Sequence, residues 1–363
     1  MKHTMIEYIK DQPRALRHTY NNREKVTNEI NELFSAKNIK KIYFLGSGTS
    51  YHASLIAKKY FEKYLDVEAV ASIPTAFTYY ENINNNGIYK KDEILVVAIS
   101  QTGSSISTIN ALKKAKEEGY LTLALTEALG SSITKYADTV SHLLCGKEEI
   151  PPETRGYTVT LLTVYLWAVT LGFRLIKKSE EKYNELILEA EKVITAVPYV
   201  LEDSEKWYAR NKYELLMMQK ADIAGYGLNY ATALEGSLKI GETLRRKVSG
   251  VELEELLHGP EMGYDLNNYL FIIASREAEF DRMIDSRRYL KGLTSHVFTI
   301  TAEDIDVTDK DLKLDVKSAG DLSPIIFAVP FQVMSALSCR DIGIDTSIYP
   351  HSGHGMSHEY PEK

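Results

Sequence analysis

Apolar and polar positions along this chain alternate in two rhythms. Short apolar runs of strand length at residues 41–45, 94–100, 121–126 and 139–145 are separated by stretches with helical spacing at 51–65, 105–118 and 131–136. The alternation returns downstream, with strands expected at 222–225, 269–275, 296–301 and 313–316 and helices at 231–246, 279–292 and 324–342. Continuous apolar runs bounded by turns mark strands covered on both faces, and their alternation with helices marks a parallel sheet. Longer helical patterns at 158–177 and 180–219 lie between the two sets, and residues 5–20 read as a leading helix.

The two sets look like copies of one unit. Gly46-Ser-Gly-Thr-Ser50 and Gly225-Tyr-Gly-Leu-Asn229 each follow an apolar run and precede a helical stretch, about half the chain apart. At 363 residues the chain has the length of two domains. The expected division is a leader over 1–30, a first domain over 31–196, a second over 197–348 and a tail over 349–363.

Composition narrows the function. The net charge of −7, without a basic run, argues against nucleic acid or an anionic membrane as partner. Cys145 and Cys339 stand far apart and outside any C-x-x-C pair, as buried thiols of a reducing compartment do. The opening MKHTMIEYIKDQP has no apolar core of a secretory leader, so a cytoplasmic location is expected. The apolar stretch 161–176 is interrupted by Thr163, Thr170 and Arg174 and reads as a buried helix rather than a membrane span.

Two first-half strands end in hydroxyl-rich turns that lead into helices: Gly46-Ser-Gly48-Thr49-Ser50 and Ser100-Gln101-Thr102-Gly103-Ser-Ser105. Such turns aim backbone N–H groups and hydroxyls at an anion, and they lie where ligands of parallel sheets bind, beyond the carboxyl ends of the strands. Neither is a Walker loop or the dinucleotide fingerprint. Two capped helices with no ligand would also produce either turn alone; the pair favours a monophosphate site. The second copy of the second turn, Ser275-Arg-Glu-Ala, has lost its glycine, so only the first half is expected to bind phosphate.

Glu235, Lys239 and Glu242 recur at i, i+4 and i+7 and so share one helix face. A solvated ion pair is the ordinary explanation. The same stretch carries Ala231, Ala233, Gly236, Ser237 and Gly241, which points to a crowded helix and a cleft-facing stripe. His258 follows in a Gly-Pro turn.

Together, Thr49-Ser50, Ser100-Gln-Thr-Gly103, Ala233-Leu-Glu-Gly-Ser-Leu-Lys239, Glu242 and His258-Gly-Pro260 resemble the double sugar-isomerase (SIS) family, in particular the isomerase half of glucosamine-6-phosphate synthase and related phosphosugar deglycases and deaminases. The resemblance implies two tandem SIS domains, each an α/β parallel sheet flanked by helices in a flavodoxin-like three-layer sandwich. It further implies that Ser50, Ser100, Thr102 and Ser105 hold a sugar phosphate, helped by Thr49, Gln101 and the glycines Gly48 and Gly103. Glu242 would move a proton between C1 and C2. Lys239 would line the site, Glu235 would orient it, and His258 would open the sugar ring from the neighbouring subunit of a homodimer. A carboxylate and a histidine suit this chemistry, which needs no metal or organic cofactor.

The chain departs from that family in three places. The sequence shows no glutaminase domain and no N-terminal cysteine nucleophile, so release of ammonia from glutamine is not expected of it. The tail, Tyr349-Pro-His-Ser-Gly-His-Gly355, lacks the synthase's Schiff-base lysine. Glu149-Ile-Pro-Pro-Glu-Thr-Arg-Gly-Tyr157 replaces a loop near the substrate, with carboxylates able to meet a cationic amine. The expected function is proton transfer on an amino-sugar or amine-linked ketose 6-phosphate, as an isomerase, deaminase or deglycase. The alternatives are a sugar-phosphate sensor and glucosamine-6-phosphate synthesis without a glutaminase. His351, His354, His358 and Glu359 form no expected metal site, because Gly353 and Gly355 break the helix that would align them.

Overall fold

The computed structural model describes residues 4–176, 179–316, 319–351 and 359. It divides into two compact units, one containing Arg14–Glu148, Arg155–Glu191 and Tyr349–Lys363, the other Met1–Pro13, Glu149–Thr154 and Lys192–Ile348.

The first unit is built on β1 (Lys41–Leu45), β2 (Glu68–Ser72), β3 (Ile94–Ile99), β4 (Leu121–Thr126) and β5 (Thr139–His142). All pair in parallel in the order β2-β1-β3-β4-β5. β1 and β3 are buried along their whole length, which is why they read as unbroken apolar runs. The second unit has β6 (Lys220–Gly225), β7 (Lys247–Glu252), β8 (Tyr269–Ala274), β9 (His296–Thr301) and β10 (Leu312–Lys313), again parallel, in the order β10-β9-β8-β6-β7. Counted from its own first strand, each sheet has the same order, so the duplication seen in the glycine turns extends to the topology. That order reverses direction between β1 and β3 in one sheet and between β6 and β8 in the other, and ligands of this architecture bind at such points.

β2 and β7 were absent from the pattern-based expectation. Both are edge strands with partly exposed residues, so neither makes a continuous apolar run. The expected single helix over 5–20 is two, Met5–Lys10 and Gln12–Asn21. Pro13 lacks an N–H and fits only a first helical turn, so the second helix starts around it.

Among the described residues two helices are long and apolar enough to cross a membrane, and both are core: Arg155–Leu175 is 83% buried over its most apolar window and Gly320–Ile342 is 100% buried over its own. Within the first unit the Arg155–Leu175 helix packs tightly on Thr49–Tyr64, since a Cβ on Gly172 would stand 2.6 Å from the Tyr64 carbonyl oxygen. Trp167 donates its indole N–H to the Val26 carbonyl at 2.8 Å. In the second unit Trp207 does the same to Lys310 at 2.7 Å. Both indoles are buried.

Candidate functional site

In the first unit, β1 and β3 are hydrogen-bonded neighbours and their carboxyl ends open into the two hydroxyl-rich turns. Gly48 adopts φ 55°, a left-handed conformation, and the helix Thr49–Tyr64 begins at the next residue. Gly46 is pressed against Ser50, whose backbone carbon would lie 2.5 Å from a Cβ there. Thr49 is buried and Ser50 half-buried at the start of that helix. The second turn is fixed by backbone bonds: Gly103 N–H donates to Ser100 O at 3.2 Å, and the Gln101 carbonyl accepts from the Thr126 hydroxyl at 3.1 Å and Glu127 N–H at 3.1 Å. Gly103, at φ 64°, allows close approach to Ser131, whose hydroxyl oxygen would stand 1.9 Å from a Cβ. Ser100 and Gln101 are buried, whereas Thr102 is exposed and Ser105 half-buried ahead of the helix Ile106–Glu117. The first turn meets the helix that follows the second through Ser47 and Ser107, whose hydroxyls are 3.2 Å apart.

Glu148 organises the floor of this turn, a role that pattern reading missed. Its carboxylate accepts from Gln101 Nε2 at 3.2 Å, from Gly156 N–H at 2.8 Å and from Arg155 N–H at 3.4 Å. Gln101 lies so close to Gly156 that a Cβ there would stand 1.7 Å from Gln101 Oε1, so the glycine is required for the amide to reach Glu148. The acidic loop singled out in the sequence begins one residue later, at Glu149.

In the second unit, Glu235, Lys239 and Glu242 come together on the helix Asn229–Leu244 as their spacing predicts. Lys239 Nζ lies 3.3 Å from Glu235 Oε1 and 2.5 Å from Glu242 Oε1. Lys239 and Glu235 keep 1% of their side-chain surface exposed, whereas Glu242 keeps 29%. The stripe is therefore not the solvated surface pair that the spacing alone would equally have allowed. Burial opposes the Lys239 charge, but the Glu235 and Glu242 carboxylates outweigh it, with Glu153 contributing, and hold the ammonium well above its ordinary pKa. Around one lysine there are thus three carboxylates, and Glu242 is the member of the buried stripe that meets solvent. The small residues account for the crowding: a Cβ on Gly236 would come within 2.9 Å of Phe331 and 3.0 Å of Ile223. Glu242 lies about 20 Å along the helix axis from Asn229, at the end remote from this unit's own β6/β8 turns.

His258 stands exposed in the turn after the short helix Leu253–Leu256, with Glu254 as a charged neighbour. Gly259 follows at φ 131°, a conformation that favours glycine. At the β6/β8 turns, Glu277 folds back onto Leu228, Asn229 and Ser275. Burial raises its pKa, partly offset by those three donors. Among the described residues no group of His, Cys, Asp and Glu is arranged to hold a metal ion; His354 and His358 of the tail lie outside them.

A model of the SIS domain matches residues 35–170. A candidate phosphosugar isomerase from Clostridium difficile 630 is 30% identical, with a TM-score of 0.87 and 99% of each chain covered. On these grounds the chain belongs to the SIS domain family, as a protein with two SIS-type parallel sheets. The glutamine–fructose-6-phosphate aminotransferase (isomerizing) of Caldanaerobacter subterraneus is 28% identical over 356 residues, 95% of this chain and 57% of the relative. The chain thus spans little more than half the length of the curated relatives it matches. The C-terminal domain of glucosamine-fructose-6-phosphate aminotransferase from Francisella tularensis shares the fold, with a TM-score of 0.83 at 22% identity, covering 96% of this chain and 98% of that one.

Proposed function

We propose that this protein is a phosphosugar enzyme that moves a proton between C1 and C2 of an amino-sugar or amine-linked ketose 6-phosphate, on the way to losing the amine. The observation that carries this reading is the Lys239 cluster. Glu242 has a carboxylate that reaches solvent while its partner lysine is sealed, the arrangement of a group that exchanges protons with a substrate. In this reading Glu242 is base and then acid. Lys239 carries a fixed positive charge that stabilises the enolate-like oxygen forming beside it, and Glu235 holds Lys239 in place. Thr49, Ser50, Ser100, Gln101, Thr102 and Ser105 bind the phosphate, with Gly48 and Gly103 admitting it. The excess of carboxylates over lysine, Glu153 included, suits a protonated amine on the substrate. His258, exposed within its own chain, serves ring opening in the site of a second subunit, so the working form is a homodimer with shared sites. None of these steps calls for a metal or organic cofactor.

The test is turnover by mass spectrometry on glucosamine 6-phosphate, on fructose 6-phosphate with ammonia, and on fructosyl-amino-acid 6-phosphates. Amine release from an amine-bearing substrate, abolished by Glu242→Gln, is the expected result. Thermal stabilisation by a sugar phosphate with no product from any substrate would instead identify a sensor.

A further inference from the structure

We propose that the second unit keeps an anion cradle of the same design as the first, and that Glu277 is its resident anion. The repeat aligns Gly46 with Gly225, Gly48 with Gly227, Thr49 with Leu228, Ser50 with Asn229, Ser100 with Ser275 and Thr102 with Glu277. The correspondence holds in conformation. Gly48 and Gly227 have φ 55° and 57°. Gly46 and Gly225 are each crowded by the backbone four residues on, at 2.5 Å for Ser50 C and 2.2 Å for Asn229 O. Both pairs of turns leave the point where the sheet order reverses.

In the second unit a carboxylate sits in this frame. Glu277 Oε2 accepts from Leu228 N–H at 3.2 Å, and Oε1 accepts from Asn229 Nδ2 at 3.2 Å and from the Ser275 hydroxyl at 3.2 Å. Asn229 is itself braced by its bonds to Ser275 Oγ at 3.0 Å and Ser323 Oγ at 2.9 Å. The carboxylate lies in the space that Gly227 opens, for a Cβ there would stand 1.6 Å from Oε2. In the first unit the aligned residue is Thr102, whose hydroxyl is 2.9 Å from Ser104 Oγ. A helix start that presents an N–H, an amide and a hydroxyl to one carboxylate is an anion site by function. Glu277 therefore satisfies the second cradle from within and closes it to phosphate. The same frame identifies the Thr49 N–H and the Ser50 and Ser100 hydroxyls as the donors an external anion meets in the first unit. The inference concerns a different unit from the phosphate site and does not depend on the chemistry of Glu242.

The experiment removes the internal anion and offers inorganic phosphate as the probe. Glu277→Thr copies the first unit and Glu277→Ala empties the position; both are made in a Ser100→Ala background that weakens the first cradle. Phosphate at about ten times its Kd is expected to raise Tm by roughly 2–4 °C beyond its effect on the Ser100→Ala parent. Adding Ser275→Ala should cancel the gain. If both variants fold and respond to phosphate no more than the parent, the proposal fails. Should Glu277→Ala not fold, refolding with and without phosphate decides the matter: recovery in phosphate supports the cradle and no recovery overturns it.

Discussion

Lys239 is sealed from water between two carboxylates, and the cost of removing it differs from the cost of removing Glu242. Lys239→Met leaves Glu235 buried without its counter-charge and should destabilise the protein by about 3–5 kcal/mol in urea unfolding. Glu242→Gln keeps the Lys239–Glu235 pair and a partly exposed side chain, so its unfolding free energy should change by less than about 1 kcal/mol. Its turnover should fall by roughly 10²–10⁴-fold with little change in KM. Because the Lys239 pKa is raised on folding, its contribution is complete below the ordinary lysine range and is lost only as pH rises through the higher folded value. Thermal stability should therefore owe no slope to the titration of Lys239 near neutral pH. The stripe was legible because helical spacing makes residues three and four apart neighbours. Glu153 was legible only as part of the acidic loop 149–157; Glu148 and Glu277 were not singled out, because loop residues obey no period.

At the scale of elements, the two helix–sheet contacts of the Asn229–Leu244 helix differ in tolerance. Gly250→Ala on β7 would place a Cβ 2.6 Å from the backbone of Leu234, which cannot yield, whereas Gly236→Ala meets the side chains of Phe331 and Ile223. Overpacking costs about 1–3 kcal/mol, and Gly236→Ala recovers up to about 1 kcal/mol of helix propensity. Gly250→Ala should be the more damaging of the two in denaturant titrations. A second anchor is Asp311, whose carboxylate accepts from Thr299 N–H at 2.6 Å and Thr308 N–H at 2.8 Å and pairs with Arg287 at 2.8 Å. Burial alone would raise its pKa, but the Thr308 and Thr299 donors and the Lys291 charge hold it below the ordinary value. A depressed carboxyl stabilises the fold above about pH 4 and loses that contribution as pH falls through its folded value. Asp311→Asn should therefore cost roughly 2–4 kcal/mol at neutral pH, with the difference from wild type shrinking in acid, as measured by unfolding at a series of pH values. Buried strands such as β3 and β8 were readable from apolar runs; β2 and β7 were not, because edge strands share their surface with solvent.

The whole molecule repeats one sheet topology twice, with the hydroxyl-rich turns in one unit and the charged helix in the other. If His258 serves a second subunit, two dead variants should repair each other. A mixture of Glu242→Gln and His258→Ala chains, unfolded and refolded together, should regain about a quarter of wild-type activity, because half of random dimers carry one intact site. Each variant refolded alone should stay inactive. Sites complete within one chain would give no recovery. The chain has two tryptophans, and the units hold one each: Trp167 and Trp207, both buried and both tied by the indole N–H to a carbonyl. The protein thereby carries its own spectroscopic reporters. With Trp167→Phe only the unit containing Trp207 emits, and with Trp207→Phe only the other. Emission from either should shift to longer wavelength as its unit opens to water. Coincident midpoints in the two variants would make the duplicated chain a single cooperative system, and separated midpoints would give each copy a stability of its own.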